Sequence, residues 1–208
     1  MKKLNLQIKI EDELIKTTQH SMYNAWHNRN TNYGYHSFNL DGINIQGQRN
    51  PKQRLNEFRK YYDFKDKNVL DFGCNVGAML FHLPEIKSGI GVDFDKTAIN
   101  SARNISRILQ RNDISFIKHD FDKDDYDSLR KKIKAKPDVI FMLALLYWVK
   151  SWEELYRFCL SFNCPVFIEV NNDDEGRKHL PKLKNAKLVM EKSFDDITGN
   201  DGRKTYLI

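Results

Sequence analysis

The sequence predicts an α/β fold built on an open, mostly parallel β-sheet. Short apolar runs alternate with amphipathic stretches along most of the chain, which is the pattern of strands connected by helical crossovers. One apolar run, at residues 68–72, leads directly into a glycine turn, as in nucleotide-binding folds. Two apolar runs near the end of the chain flank a Gly-Asn-Asp-Gly sequence, which predicts a C-terminal antiparallel hairpin.

The predicted elements of the core follow in regular alternation. Strands are predicted near 68–72, 88–93, 114–119, 138–143 and 165–170, and in the hairpin near 186–193 and 203–208. Helices are predicted near 77–83, 96–110, 125–135, 152–162 and 174–183. We therefore assign residues 67–208 to one domain with helices on both faces of the sheet.

Residues 1–66 are predicted to form a helical extension that packs on this core as a lid. Between Glu11 and Arg29, one helical face carries Leu14, Thr18, Met22, Ala25 and Trp26. Asn50-Pro51 is typical of a helix start, and the helix that follows directs Leu55 and Phe58 inward.

The composition is that of a soluble globular protein. The chain has 208 residues, of which 40% are hydrophobic and 12% aromatic, and it is long enough to bury a substantial core. No apolar run approaches the roughly eighteen residues needed to cross a bilayer, and the lysine-rich start lacks the apolar stretch of a signal peptide. We expect a cytoplasmic protein without a membrane span.

The three cysteines, Cys74, Cys159 and Cys164, are odd in number and contain no Cys-x-x-Cys pair. Neither a disulfide framework nor a zinc site is indicated, and reduced thiols are expected. The net charge of +6 arises from the two ends of the chain. Such a surface attracts nucleic acid or phosphorylated ligands, but lysines interspersed with acids are more typical of a solvated face.

The glycine turn carries the strongest functional signal. Asp71 ends an apolar strand and is followed by Gly73 and Gly77, and Asp93 ends the next strand twenty residues after Gly73. The first carboxylate suits an ammonium group, the glycines let a ligand approach the backbone, and the second carboxylate suits a ribose diol. This combination predicts S-adenosylmethionine (SAM) as the ligand.

A dinucleotide site is the main alternative, because it also combines a strand, a glycine turn, a helix and a later acid. In that motif a middle glycine admits the pyrophosphate, and here that place is Asn75. Asp71 would also repel a phosphate. Both observations favour SAM over NAD.

From Lys67 to Ile208 the chain resembles the class I SAM-dependent methyltransferases, which have a Rossmann-like sheet of seven strands. The resemblance implies that Asp71, Gly73, Cys74, Asn75 and Gly77 cradle the methionine part of SAM, that Asp93 binds the ribose and that Phe94 lies against adenine. It also implies that Asp120, with Phe121, faces the adenine amine and that Leu143 lines the cofactor site. Many relatives carry His-His after the fourth strand. Tyr147 and Trp148 occupy that place here, so no histidine base is available there.

Three residues are candidates for the catalytic chemistry, which for a hydroxyl acceptor requires removal of a proton. Glu169 ends an otherwise apolar strand and would meet either the substrate or a neighbouring Arg or Lys. His36 lies in a loop that would either fold over the site or be exposed. Tyr147 would either orient the acceptor or simply pack. No metal is predicted: the acidic run Asn171–Glu175 offers oxygen ligands, but it is also typical of a helix cap, and the fourth strand ends without an acid.

The N-terminal third narrows the resemblance to two groups. The His36-Ser and Asp41-Gly pattern, followed by Gln53-Arg-Leu55, is similar to methyltransferases that act on glycan hydroxyls and to those that modify wobble uridine in tRNA. The resemblance implies that this segment closes over SAM and that Arg54 pairs with the methionine carboxylate; the alternative is a surface arginine. Nearby aromatic residues suit sugar faces: Tyr23, Trp26, Tyr33, Tyr35 and Phe38.

We favour a sugar acceptor, because the chain shows no concentrated basic patch interleaved with aromatic residues. A tRNA acceptor and a SAM-binding protein without catalysis stay open as alternatives. A chain that ends at the closing strand would suit a domain excised from a larger enzyme, so a glycosyltransferase partner or parent chain is also expected.

Overall fold

The computed structural model describes residues 2–20, 34–171, 178–179, 182–183, 185–193 and 203–208. Its central sheet has seven strands: β3 (Asn68–Phe72), β4 (Ser88–Asp93), β5 (Ile114–Lys118), β6 (Val139–Leu143), β7 (Val166–Val170), β8 (Lys187–Ser193) and β9 (Arg203–Leu207). Their spatial order is β5-β4-β3-β6-β7-β9-β8. The first five strands are parallel, and β9 is antiparallel to both β7 and β8. The predicted mostly parallel sheet with a C-terminal hairpin is confirmed.

The described helices are α1 (Lys2–His20), α2 (Pro51–Phe58), α3 (Ala78–Phe81), α4 (Lys96–Ile108), α5 (Tyr126–Lys132) and α6 (Trp152–Leu160). The helices of the core are a few residues shorter than predicted. The start of α4 agrees with the prediction, and there the Asp95 carboxylate accepts the N–H of Thr97 at 2.7 Å and caps the helix. Of the helix predicted near 174–183, only residues 178, 179, 182 and 183 are described, and the hairpin turn at 199–202 lies outside the described residues.

Side chains alternate between the two faces of the sheet, so a central strand can contribute to both of the apolar clusters. Along β6, Val139 and Phe141 belong to one cluster, while Ile140 and Met142 belong to the other. The first cluster also contains Leu14 of α1 and Leu55 of α2, as their helical spacing predicted. Among the helices of the described residues, none combines the length and apolar character needed to cross a bilayer.

The N-terminal extension contains strands that the helix pattern did not predict. β1 (Phe38–Leu40) and β2 (Ile43–Ile45) form a short antiparallel hairpin around Asp41-Gly42. Gly42 has φ +73°, which glycine adopts without the cost that a Cβ would impose. Asp-Gly between apolar runs is itself a hairpin signal, but three-residue strands are too short for a clear alternation.

Helix α1 begins nearer the N-terminus than predicted and lies against α4. Its Thr17 hydroxyl donates to Ser101 Oγ at 2.7 Å, and Asn104 Nδ2 donates to Glu13 Oε2 at 3.0 Å. Residues 21–33 lie outside the described residues, so the structure does not bear on the predicted roles of Tyr23, Trp26 and Tyr33. Phe38 is fully buried in the apolar core, so its predicted contact with a sugar face is wrong.

Candidate functional site

A cavity of about 490 Å³ lies at the carboxyl ends of the central parallel strands. Parallel strands bring residues that are distant in sequence to one edge, where open α/β sheets bind ligands. Eleven of the predicted site residues line the cavity: His36, Arg54, Asp71, Gly73, Cys74, Asn75, Asp93, Phe94, Asp120, Phe121 and Leu143. Gly77, Tyr147 and Glu169 are not among its lining residues.

The glycine turn forms a tight cradle on the floor of this cavity. Gly73 has φ +72°, and a Cβ there would come 2.5 Å from Leu145 Cδ2, so only glycine fits. The Gly73 N–H donates to the Val92 carbonyl at 2.8 Å, which fastens the turn to β4. Gly77 has φ +80° and a Cβ there would approach Phe116 at 2.5 Å, so its role is to let α3 start close to the sheet.

Asp71 and Asp93 lie side by side at the ends of β3 and β4, and both are buried. Asp93 accepts the N–H of Asn75 at 2.8 Å and that of Asp95 at 2.9 Å, so it anchors the glycine turn. Burial raises the pKa of Asp93 to about 6, although these N–H groups oppose the shift. Burial and the neighbouring Asp93 carboxylate raise the pKa of Asp71 to about 8.

Asp71 Oδ2 is buried and has no hydrogen-bond partner among the described residues. A buried carboxylate oxygen without a partner is unfavourable unless a ligand cation meets it. The Arg54 guanidinium also acts electrostatically on Asp71. A carboxylate and a guanidinium near one another are complementary to the ammonium and carboxylate of an amino acid. Together with the cradle at Gly73, these residues fit the methionine part of SAM.

The other end of the cavity is formed by residues after β4 and β5. Phe94 is 43% exposed, as an aromatic face available to a ligand would be. The Asp120 carboxylate accepts the N–H of Asp122 at 3.1 Å and pairs with Lys123 Nζ at 3.0 Å. Phe121 is buried and meets Phe72 edge to face at 5.6 Å. Their predicted contacts with adenine remain predictions.

Glu169 is fully buried inside the protein and belongs to an ion pair. Its Oε1 accepts from Arg54 Nη2 at 2.8 Å and lies 3.5 Å from Arg203 Nη1. This is the arginine-tied carboxylate that the sequence offered as the alternative to a substrate base. Glu169 therefore does not line the cavity itself but binds two arginines that do. A direct catalytic role for Glu169 stays a prediction.

Arg54 is 3% exposed and lines the cavity, so the alternative of a surface arginine is wrong. Besides Glu169, it contacts Ser193 Oγ through Nε at 3.3 Å. Arg54 shares the buried side of α2 with Leu55 and Phe58. The helical pattern predicted only the two apolar residues to point inward and gave no partner for Arg54. The ion pair requires β7 to be brought next to α2 by the fold.

His36 is buried, which corrects the alternative of an exposed loop histidine. Its backbone pairs with Arg49 in an isolated β-bridge, and the Ser37 N–H donates to the Arg49 carbonyl at 2.7 Å. Burial, reinforced by Arg54 and other nearby positive groups, lowers the pKa of His36 well below its usual value. The imidazole is therefore neutral at pH 7, and its Nδ1 has no hydrogen-bond partner among the described residues.

Tyr147 and Trp148 project from the loop after β6. Tyr147 is 68% exposed, so it does not pack in the interior, and its ring meets that of Trp148 at 5.1 Å. Trp148 is 43% exposed and lines the cavity. Ala144, at the start of this loop, has φ +57° and donates its N–H to the Glu169 carbonyl at 2.9 Å.

Sequence reasoning missed Arg203, which lines the cavity from the first residue of β9. Its Nη1 donates to the Tyr35 hydroxyl and approaches Glu169. A basic residue at the start of a closing strand is an ordinary surface feature in sequence. Only the antiparallel pairing of β9 with β7 brings it to the end of β7. The acidic residues 172–175, once weighed as metal ligands, lie outside the described residues.

We expect Gly47→Ala to destabilise the segment that carries His36. A Cβ at Gly47 would come 2.4 Å from the His36 carbonyl carbon and 2.7 Å from the Ser37 nitrogen, so the backbone must shift. Such overpacking costs about 1–3 kcal/mol, which urea unfolding would measure. An unchanged unfolding midpoint would show that the segment is not held as closely as the structure indicates.

Comparisons with known proteins identify the family of this chain. A family model described as a methyltransferase domain matches residues 43–179, which is more than half of the chain and includes α2 with Arg54. The U6 snRNA methylphosphate capping enzyme Amus of Drosophila melanogaster is 30% identical over 144 residues, covering 64% of this chain and 43% of that protein. The chain thus spans less than half the length of this curated relative.

Solved structures share the fold. The bifunctional kinase-methyltransferase WbdD superposes with a TM-score of 0.62 at 20% identity, over 84% of this chain and 43% of WbdD. EvdMO1 superposes with a TM-score of 0.59 at 13% identity, over 82% of this chain and 42% of EvdMO1. Since the family match extends from β2 to beyond β7 and the cradle fits an amino-acid ligand, this chain belongs to the methyltransferase-domain family, with S-adenosylmethionine as its methyl donor.

Proposed function

We propose that this chain transfers the methyl group of SAM to an oxygen atom of a sugar in a glycan or glycoconjugate. The sequence favours a sugar hydroxyl as that acceptor. The observation that carries the proposal is the pair of exposed aromatic residues after β6: Trp148, which lines the cavity, and Tyr147, whose ring meets that of Trp148 at 5.1 Å.

Exposed tyrosine and tryptophan rings beside a cavity suit a ligand that has both apolar faces and polar edges. Pyranose rings have this character, because their C–H groups stack on aromatic faces while their hydroxyls reach polar groups. The Tyr147 and Trp148 rings are nearly perpendicular, with an interplanar angle of 85°. Two perpendicular aromatic rings support a binding mode in which one ring stacks on the face of a sugar and the other contacts the edge of the neighbouring sugar.

SAM supplies an electrophilic methyl group when it is bound, so the protein must align the acceptor and accept any proton that it loses. For a hydroxyl acceptor, His36 is the described residue best suited to take that proton. It lines the cavity, and its lowered pKa keeps the imidazole neutral at pH 7, although the same shift makes it a weaker base. Glu169 is less suited because Arg54 and Arg203 already hold it.

Two other candidates are supported by different observations. The named relative caps an RNA, and the net charge of +6 would favour a nucleic acid, so an RNA acceptor, including the wobble-uridine type, is the second candidate. A SAM-binding protein without turnover is the third. The glycosyltransferase partner or parent chain expected from the sequence stays a proposal.

The test is release of the demethylated product of SAM on matched panels of glycosides, glycans, tRNA and small nuclear RNA. We expect turnover on sugar acceptors. Turnover on RNA alone would favour the second candidate, and SAM binding without any turnover would favour the third.

In the same assay, Tyr147→Ala is expected to raise the KM for the acceptor about tenfold, because one stacking face is lost. The affinity for SAM should be unchanged, since Tyr147 does not line the cavity. Tyr61→Ala is a matched control, because Tyr61 is 40% exposed and not among the cavity residues. Equal KM values for both variants would contradict the proposed aromatic platform.

A further inference from the structure

Two arginines form a basic wall on one side of the cavity. Arg54 comes from α2 and Arg203 from β9, and both are buried and line the cavity together with Tyr35 and His36. Both arginines reach the same oxygen of Glu169, at 2.8 and 3.5 Å. Glu169 thus fixes two guanidinium groups, which are rigid donors well matched to carboxylates and phosphates.

The potential at this wall is positive. Burial alone would raise the pKa of Tyr35, but the charges of Arg203, Arg54 and Arg49 outweigh burial and lower it. The pKa of His36 is lowered first by burial and then by Arg54, His82, Arg49 and Arg203. Tyr35 and His36 therefore both experience a positive electrostatic potential. A positive potential in a buried cavity favours an anionic ligand.

SAM accounts for part of this wall. Arg54 acts electrostatically on Asp71, so these two residues complement the carboxylate and ammonium of its methionine end. Arg203 approaches from a different strand and contacts Tyr35. We assign Arg203, with Tyr35, to the acceptor rather than to SAM.

The carboxylates that line the cavity are Asp71, Asp93, Asp95, Asp120 and Asp122, all from the β3, β4 and β5 side. The wall near Arg203 instead holds Arg54, Tyr35 and His36. A base is needed when the acceptor is a hydroxyl, but an acceptor oxygen that already carries negative charge needs none.

We propose that the acceptor group is a phosphate monoester carried by the sugar, and that Arg203 binds its oxygens beside the transferable methyl group. This rests on the proposed function: it keeps the sugar acceptor but places the methylated oxygen on a phosphate of that sugar instead of a hydroxyl. A phosphate monoester is mostly a dianion at pH 7, since its second pKa is about 6, and so it matches a wall of two guanidiniums better than a neutral hydroxyl does.

The reaction is balanced without an added base. One phosphate oxygen attacks the methyl carbon in line with the carbon–sulfur bond, and a carbon–oxygen bond forms as the carbon–sulfur bond breaks. The sulfur keeps the bonding electron pair and loses its positive charge. The dianionic monoester becomes a monoanionic methyl diester, and no proton has to move.

The experiment compares the same sugar in three forms: a glycoside with free hydroxyls, its phosphate monoester and the corresponding uronic acid. An RNA with a 5′-phosphate is the fourth acceptor. We expect methyl transfer to the phosphorylated sugar, with the methyl located on phosphorus-bound oxygen by phosphorus NMR. Calorimetric binding of the phosphorylated sugar to the protein with the demethylated product of SAM gives a readout independent of turnover.

Arg203→Lys keeps the charge but loses the planar donor pair, so it is expected to raise KM for the phosphorylated sugar about tenfold or more, while SAM affinity changes less than about twofold. Arg59→Lys is the matched control, since Arg59 pairs with Glu85 at the surface. If Arg203→Lys unfolds, Tyr35→Phe removes only the hydroxyl that Arg203 contacts, and its KM should still rise severalfold.

The outcomes separate the two proposals. Methylation of the free-hydroxyl glycoside with no preference for the phosphate would overturn the phosphate assignment but keep the sugar acceptor. A preference for the uronic acid would also overturn it, in favour of another anion. Turnover only on the phosphorylated RNA would keep the phosphate and overturn the sugar. A normal KM in both Arg203→Lys and Tyr35→Phe would overturn the role of the basic wall.

Discussion

Asp93→Ala is expected to weaken SAM binding by about a hundredfold or more, measured by calorimetric titration. The substitution removes the predicted acceptor of both ribose hydroxyls, and charge-assisted hydrogen bonds of this kind contribute roughly 1.5–3 kcal/mol each. It also leaves the N–H groups of Asn75 and Asp95 without their present acceptor. The glycine turn would then lose its tie to the end of β4, so the loss exceeds that of the ligand contacts alone.

Asp93→Asn separates these two contributions, because its amide oxygen can still accept one N–H while the charge is lost. We expect its affinity for SAM to fall between those of the wild type and Asp93→Ala. Asp113→Asn is the control, since Asp113 pairs with Arg111 away from the cavity and should leave SAM binding unchanged. Undiminished binding by Asp93→Ala would remove the basis for the ribose assignment.

Asp71→Asn is expected to weaken SAM binding at least about tenfold and yet to stabilise the protein without ligand. The carboxylate is the predicted partner of the ammonium of SAM, so its charge is needed in the complex. In the free protein the same charge is unfavourable, because burial and Asp93 raise the pKa of Asp71 to about 8. The neutral amide avoids that penalty.

The pH dependence of this effect has a definite sign. Between the ordinary aspartate pKa of 3.8 and the folded value of about 8, the folded protein binds more protons at Asp71 than the unfolded chain does. The contribution of Asp71 to stability therefore decreases as pH rises through this range and is constant above it. The gain in unfolding free energy from Asp71→Asn should grow from near zero at pH 4 to about 1–3 kcal/mol at pH 8.

Asp113→Asn should show the opposite trend. A hydrogen bond from Arg111 lowers the pKa of Asp113, so this carboxylate stabilises the fold above pH 4 and loses its contribution as pH falls through its folded pKa. Urea unfolding of the wild type and both variants at pH 4, 6 and 8 would measure the difference. If the benefit of Asp71→Asn were the same at all three pH values, Asp71 would not be a buried carboxyl whose pKa the fold raises.

The two aspartates explain why a binding site can reduce the stability of its own fold. Asp71 Oδ2 has no hydrogen-bond partner among the described residues, and the Asp93 carboxylate accepts hydrogen bonds from backbone N–H groups. The predicted contacts with SAM supply a cation to the first and hydroxyl donors to the second, so we expect binding energy to offset the burial of both charges. Cofactor binding should accordingly stabilise the protein more at pH 8 than at pH 5.

The sequence by itself determined the order of the core strands and helices along the chain, the glycine turn, and the two acids Asp71 and Asp93 at the strand ends beside that turn. These features depend on local patterns: the alternation of apolar runs, the spacing of glycines and the position of an acid at a strand end. For that reason the strands at 68–72 and 88–93 were predicted at their observed bounds. The short hairpin at Phe38–Ile45 was not, because three-residue strands contain too little periodicity.

Only the tertiary structure determined the ion-pair partners of the charged residues and the shifts in their pKa values. Glu169, Arg54 and Arg203 are separated by up to 149 positions in sequence, and their ion pairs exist because β9 returns antiparallel to β7 while α2 lies over the end of the sheet. Burial then fixed the protonation of His36 and Asp71, since the pKa of a group depends on the charges and solvent around it. Sequence patterns report local geometry, whereas charge pairing and solvent exclusion arise only when distant segments meet.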